Sequence, residues 1–280
     1  MFKHEYADVN GVRLHYVTAG TGKLILFVHG FPEFWYEWKN QLLEFGRDHQ
    51  AVALDMRGYN LSSKPPDLEQ YRMKHLSEDL RALAEHLGHK KFILVGHDWG
   101  GAVCWAFPLY YPDLLEKLII VNAPHPVVFD RELKENPAQQ KASQYMLMFR
   151  SPQAEKILSA NNYEELYQRV LFWGVEKSVF TGEDRKAYLD AWSQPGALTG
   201  GLAGNAADAR EERDAAVAHA QYEQARSQAI AQAITESDVI TMTRSGVGDD
   251  VIINSLRTRG CRWNSAPENV IALKQQGVSD

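Results

Sequence analysis

One stretch constrains this chain more than any other. The apolar run Phe92-Ile93-Leu94-Val95 leads straight into Gly96-His97-Asp98-Trp99-Gly100-Gly101, and a helix-forming segment from Ala102 to Tyr110 comes next. A strand that turns sharply into a helix needs small residues around the turn, because the helix must pack back on the strand. The pattern is a G-x-D-x-G elbow, with aspartate where such elbows often carry serine. The apex side chain projects above the sheet edge, near the positive end of the following helix. An ionised carboxylate there can attack a saturated carbon, giving an alkyl ester that water must later cleave. Epoxide opening and halide displacement are reactions of that kind.

The surrounding sequence supplies a frame for the elbow. Asn10-Gly11, between Tyr6–Val9 and Val12–Tyr16, is a hairpin signal. Strands are then predicted at 24–28, 51–54, 92–95 and 118–121, and helices at 35–46, 72–87 and 100–110. Strands alternating with helices predict an α/β fold, a mostly parallel sheet with helices on both faces. Ligands bind beyond the carboxyl ends of such strands, where His29, Asp98 and Asn122 fall. The strand run Leu24–Val28 ends in His29-Gly30-Phe31-Pro32. That turn can aim the Phe31 N–H at the same spot as the Trp99 N–H, forming an oxyanion hole. Its proline is a candidate for a cis bond.

Several motifs in order resemble one family. His29-Gly-Phe-Pro-Glu-Phe-Trp-Tyr-Glu-Trp38, Asp55-Met-Arg-Gly-Tyr-Asn60, Gly96-His-Asp-Trp-Gly-Gly101, Asn122-Ala-Pro-His-Pro126 and Gln144-Tyr-Met-Leu-Met-Phe149 are similar to the epoxide hydrolase branch of the α/β-hydrolase superfamily. The resemblance runs from about residue 3 to about residue 202. It implies that Asp98 is the nucleophile and that Phe31 and Trp99 supply the oxyanion-hole amides. It also implies that His29, Trp35 and Trp99 line the substrate pocket, and that Tyr145 is a cap tyrosine polarising the epoxide oxygen. A phenol suits that task because it donates a hydrogen bond at neutral pH without carrying charge. The segment from about 127 to 200 is expected to form a helical cap, with Phe149, Leu158, Leu171, Phe172 and Trp173 closing an apolar pocket. A haloalkane or haloacid dehalogenase shares the aspartate elbow. Trp99 and Tyr145 favour epoxides over a haloacid, whose carboxylate would want arginines, and Arg150 is the only cap arginine close by.

The resemblance stops abruptly after Pro195-Gly-Ala-Leu-Thr-Gly-Gly-Leu202, where the family continues with its second tyrosine and this chain reads Ala203-Gly-Asn-Ala-Ala-Asp. The family's later strands, acid and histidine have no counterpart in residues 203–280. Nine of the ten histidines lie at or before His125, and His219, in an alanine-rich helical run, reads as a surface residue. Asn122 stands where some relatives carry the acid. The expectation is a C-terminally truncated hydrolase fold that is impaired or limited to a single turnover, with Leu118–Val121 left as an unpaired sheet edge. Residues 203–234 read as a helical linker. Residues 235–280 read as a small all-α module with a 31-residue repeat, in which Val239-Ile-Thr-Met242 with Gly246 recurs as Val270-Ile-Ala-Leu273 with Gly277. The predicted domains are therefore a hydrolase core over 1–126, a cap over 127–202, a linker over 203–234 and a hairpin module over 235–280. A third reading is a non-catalytic fusion whose tail is an interaction module for a protein partner.

Composition narrows the partners. A net charge of −6 gives no reason to expect nucleic acid or an anionic membrane. No apolar stretch approaches membrane-spanning length. The Gly196, Gly200 and Gly204 spacing therefore reads as accidental rather than as a membrane motif. Cys104 and Cys261 fall in different modules, implying no disulfide framework or zinc site and a cytoplasmic location. No cofactor is expected, and the expected partner is a small apolar epoxide or halide.

Overall fold

The computed structural model describes residues 2–168, 180–204, 206, 207, 224, 228 and 233–259. The chain divides into two compact units, Met1–Glu211 and Glu212–Asp280. The first begins with the expected hairpin, β1 (Lys3–Val9) paired to β2 (Val12–Ala19) from Lys3↔Thr18 to Val9↔Val12. Asn10 and Gly11 take the left-handed φ values of 48° and 73° that a two-residue hairpin loop demands.

Four further strands complete the sheet: β3 (Leu24–Val28), β4 (Gln50–Leu54), β5 (Phe92–His97) and β6 (Leu115–Val121). The sheet order is β1-β2-β4-β3-β5-β6. β4, β3, β5 and β6 run parallel, and β2 meets β4 antiparallel. All five residues of the central strand β3 are buried, as a strand covered on both faces should be. β5 beside it has an equally apolar run, so the elbow leaves from the best-supported part of the sheet.

The core helices are α1 (Lys39–Phe45), α2 (Met73–His86) and α3 (Asp98–Tyr110). The segment expected to be one helix over 35–46 is a 3-10 turn, Trp35–Trp38, and then α1. Trp35 and Trp38 are both buried, so tertiary packing decides the local winding. α3 begins at Asp98 itself, two residues earlier than expected, and β6 begins at Leu115, three residues earlier. β6 pairs only with β5 and is the sheet edge among the described residues. Ile119 and Val121 there keep 45% and 38% of their surface exposed, as expected for a parallel strand without an outer neighbour.

After β6 come the helices α4 (Pro126–Glu135), α5 (Pro137–Ala142), α6 (Tyr145–Phe149), α7 (Ala154–Leu158), α8 (Ala160–Leu166), α9 (Gly182–Trp192) and α10 (197–204), in the stretch expected to form a cap. Thr181 and Asp184 close a capping box on α9, satisfying two orphan donors reciprocally. Three side chains of α9 tie it to the core. The Trp192 indole donates to the Pro32 carbonyl at 2.8 Å, the Tyr188 hydroxyl donates to Glu33, and Asp184 receives Tyr36 and Lys39. α10 lies on Gly58, where a Cβ at Gly200 would stand 2.5 Å from the Gly58 carbonyl oxygen. Residues 201–204 are helical, and Ala203 and Ala207 are buried against Tyr71.

In the second unit, α11 (Glu236–Arg244) starts at a Thr235–Asp238 capping box and is followed by Gly246 at φ 76°. α12 (Asp249–Arg259) packs with it around Ile234, Val239 and Ile252. The second copy of the repeat, Cys261, His219 and the expected pocket residues Leu171, Phe172 and Trp173 lie outside the described residues.

Candidate active site

Asp98 stands at the junction of β5 and α3 with φ 49°, a left-handed value that costs energy for a residue with a side chain. Glycines on every side make the turn feasible. A Cβ at Gly96 would sit 2.5 Å from the Cys104 sulfur, and one at Gly100 would sit 2.3 Å from the His29 carbonyl oxygen. Gly100 thus lets α3 cross β3 at backbone contact, bringing the His29–Pro32 loop beside the elbow. The Phe31–Pro32 bond is cis. The Phe31 N–H donates to Asp98 Oδ2 at 3.0 Å, so the first expected oxyanion donor meets the carboxylate directly. Trp99 follows Asp98 in the first turn of α3, and its indole lies under Gly204 of α10, where a Cβ would stand 2.8 Å from Nε1.

Tyr145 opens α6, stands edge-on to Phe149 at 5.4 Å between centroids, and keeps 53% of its surface exposed. Phe149 in turn meets Phe31 at 4.9 Å. Desolvation of its hydroxyl, with the charge of Asp98 added, raises the Tyr145 pKa. The phenol is therefore held as a neutral donor within the field of Asp98.

Two expected pocket residues sit elsewhere. His29 is fully buried; its Nδ1 meets the Gly30 carbonyl oxygen at 2.7 Å and its Nε2 accepts from the Met56 N–H at 3.1 Å. Both ring nitrogens serve the backbone, and burial lowers its pKa, so it is a neutral brace between two loops. The Trp35 ring packs against Phe2, His4 and Phe34 at 5.8, 5.1 and 6.1 Å, towards the hairpin. The Trp35 backbone N–H donates to Asp55 Oδ1 at 2.9 Å.

A carboxylate cluster beside the elbow escaped the sequence analysis. His97, the neighbour of Asp98, pairs through Nδ1 with Glu37 at 2.5 Å. Burial alone would push the His97 pKa down, but the Glu37 pair, with Asp98 and Glu33, outweighs it and carries it up. Glu33 accepts from Tyr188 of α9. Its carboxyl is shut away from water beside Glu37, and this outweighs Tyr188 and His97, so its pKa is pushed up to about 8. The Phe-Pro-Glu and Trp-Tyr-Glu triplets hinted at these acids; Tyr188, 155 positions from Glu33, carried no signal.

The Glu33 shift sets a pH dependence. The native state holds a proton that the unfolded chain releases near 4.5. This contribution to stability is full below pH 4.5 and is lost as pH rises towards 8. Glu33→Gln keeps an acceptor for Tyr188 and removes the titration. It should unfold at a higher temperature than the parent at pH 8, by on the order of a few kcal/mol of stability, and nearly level with it at pH 4.5. Thermal unfolding at the two pH values checks this, and an equal shift at both would contradict it.

Among the described residues no cluster of His, Cys, Asp and Glu is arranged to hold a metal ion, and no helix is long and apolar enough to cross a membrane.

Comparison with known proteins agrees with this architecture. Residues 23–225 match the family described as alpha/beta hydrolase fold. The chain is similar to mouse epoxide hydrolase 4, with 42% identity over 200 residues, 68% of this chain and 55% of that protein. It is likewise similar to the Bacillus subtilis AB hydrolase superfamily protein YfhM, with 42% identity over 203 residues and 70% of each chain. Among solved structures, a Bacillus megaterium epoxide hydrolase in complex with an inhibitor superimposes with a TM-score of 0.69 at 43% identity, covering 72% of this chain and 71% of that one. The chain spans about half the length of the first of these relatives. With the sheet order, the aspartate elbow and the facing Phe31 amide, these likenesses place the chain in the α/β-hydrolase superfamily, among homologues that include epoxide hydrolases.

Proposed function

We propose that this chain opens small apolar epoxides by forming an alkyl ester on Asp98, and that the ester persists. The Phe31 N–H···Asp98 Oδ2 bond of 3.0 Å carries the reading. It marks Oδ2 as the oxygen that becomes the ester carbonyl and leaves Oδ1 to attack the epoxide carbon. The carbon–oxygen bond of the ring breaks as the new one forms, and the departing alkoxide takes the Tyr145 hydroxyl proton. Trp99 would add the second amide when water later attacks the carbonyl.

That second step needs a base. Among the described histidines nearest the elbow, His97 is paired with Glu37 and His29 with the backbone. Further off, His15 holds Asp55 at 2.6 Å and His125 stands against Trp105. A general base must reach the attacking water in a productive pose; His29 and His15 have both ring nitrogens engaged, and His97, whose Nδ1 alone is paired, would be the base if diol accumulated. Intact mass spectrometry after incubation with styrene oxide is the test. A stable gain of one epoxide mass, absent in Asp98→Ala, is expected. Diol accumulating without an adduct would show full turnover, and neither product would refute the activity.

A further inference from the structure

We infer that Tyr59 is a positioning residue that fixes the aim of the Phe31 amide towards Asp98. Tyr59 is 6% exposed, and the proposed reaction makes no use of it. Its ring meets the His29 imidazole edge-on, with centroids 4.6 Å apart and planes at 73°, and meets the Phe31 ring at 6.5 Å and 67°. Its hydroxyl donates to the Gly201 carbonyl on α10 at 3.2 Å. A Cβ at Gly201 would lie 3.1 Å from the Phe31 ring and 3.2 Å from the Tyr59 ring, so glycine lets helix and both aromatics meet.

The turn that carries Tyr59 is itself locked. The Tyr59 N–H donates to the Met56 carbonyl at 3.0 Å, and the Ser62 N–H donates to the Tyr59 carbonyl at 2.9 Å. Asn60 reaches back to Asp55 at 2.8 Å, and Met56 is held by His29. The loop after β4, the loop after β3 and α10 therefore converge on one ring. Phe31 is sandwiched by that ring, by Gly201 and by Phe149, so the orientation of its peptide depends on all three. A hydrogen bond loses strength steeply as its angle closes, so a tilted Phe31 peptide would release the Asp98 oxygen.

The role rests on the proposed reaction for its consequence, but its geometry can be read without any epoxide. In protein labelled with 15N-phenylalanine, the Phe31 amide resonance is located by its loss in Phe31→Leu and its displacement in Asp98→Asn. It is expected to move in Tyr59→Leu and, by less, in Tyr59→Phe. Phe92→Leu, which opens the core against Phe107 at the opposite end of β5 from the elbow, should leave it in place. The rate of adduct formation should fall about ten-fold in Tyr59→Leu, with the half-saturating epoxide concentration unchanged. An unmoved Phe31 resonance in folded Tyr59→Leu overturns the inference, as does equal displacement by Phe92→Leu. Should the leucine variant not fold, Tyr59→Phe decides by the same resonance, moved or unmoved. Absence of adduct in the parent protein would strike the proposed reaction alone.

Discussion

Gly30→Ala is expected to stop alkylation of Asp98 while the chain still folds. A Cβ at Gly30 would stand 2.5 Å from the Asp98 Cβ and 2.6 Å from its Oδ2. Relaxed carbon contacts lie near about 3.5 Å, so the carboxylate or the loop must retreat by roughly 1 Å. Such a displacement at a reacting centre costs about a hundred-fold in rate. It also separates Oδ2 from the Phe31 amide that holds it. The time course of adduct formation measures the rate, and circular dichroism verifies the fold. A rate within three-fold of the parent would show that the loop absorbs the methyl group and that the Phe31–Asp98 contact is not decisive.

The second large effect concerns stability. Arg57 has no exposed side-chain surface. Its Nε and Nη2 donate to the two oxygens of Asp79 at 2.6 and 2.5 Å, and its Nη1 donates to the Gln70 carbonyl at 2.8 Å. Asn10 of the first hairpin donates to the same carboxylate at 2.7 Å. The fork-on-carboxylate geometry joins the loop after β4, α2 and the β1–β2 turn in one cluster. Arg57→Ala leaves Asp79 buried without its cation, at a cost of about 3–5 kcal/mol. Arg57→Met with Asp79→Leu removes both charges and should recover most of that loss. Urea unfolding of the parent, single and double variants measures it. A single-variant loss below about 1 kcal/mol would mean that water reaches Asp79.

The features legible in the sequence were those written in consecutive residues. The hairpin at Asn10-Gly11 and the elbow at Asp98 arise from local backbone demands, and both appear where the chain spells them. The Phe31 amide was legible because its loop and the elbow end adjacent parallel strands. Trp35 was misplaced because a tryptophan near a motif carries no direction; its ring turns to His4 once Trp38 fills the core beside Phe27. The Glu33–Tyr188 and Asp184–Lys39 ties were illegible for another reason. They join the first fifty residues to α9, and no short-range pattern encodes such distant pairing. The tail was read from its repeat, of which the structure describes only the first copy.

Among the described residues β6 has no outer neighbour, and that has a consequence for how this protein is handled. Its outward N–H and C=O groups, flanked by Ile119 and Val121, are the kind of edge along which sheets of separate molecules join. Encounter between two such edges is second order, so doubling the concentration quadruples the initial rate of pairing. Unfolding within one molecule has no such dependence. Dilution should therefore slow any loss by edge pairing while leaving the unfolding rate unchanged, which makes useful lifetime a property of the solution as much as of the chain.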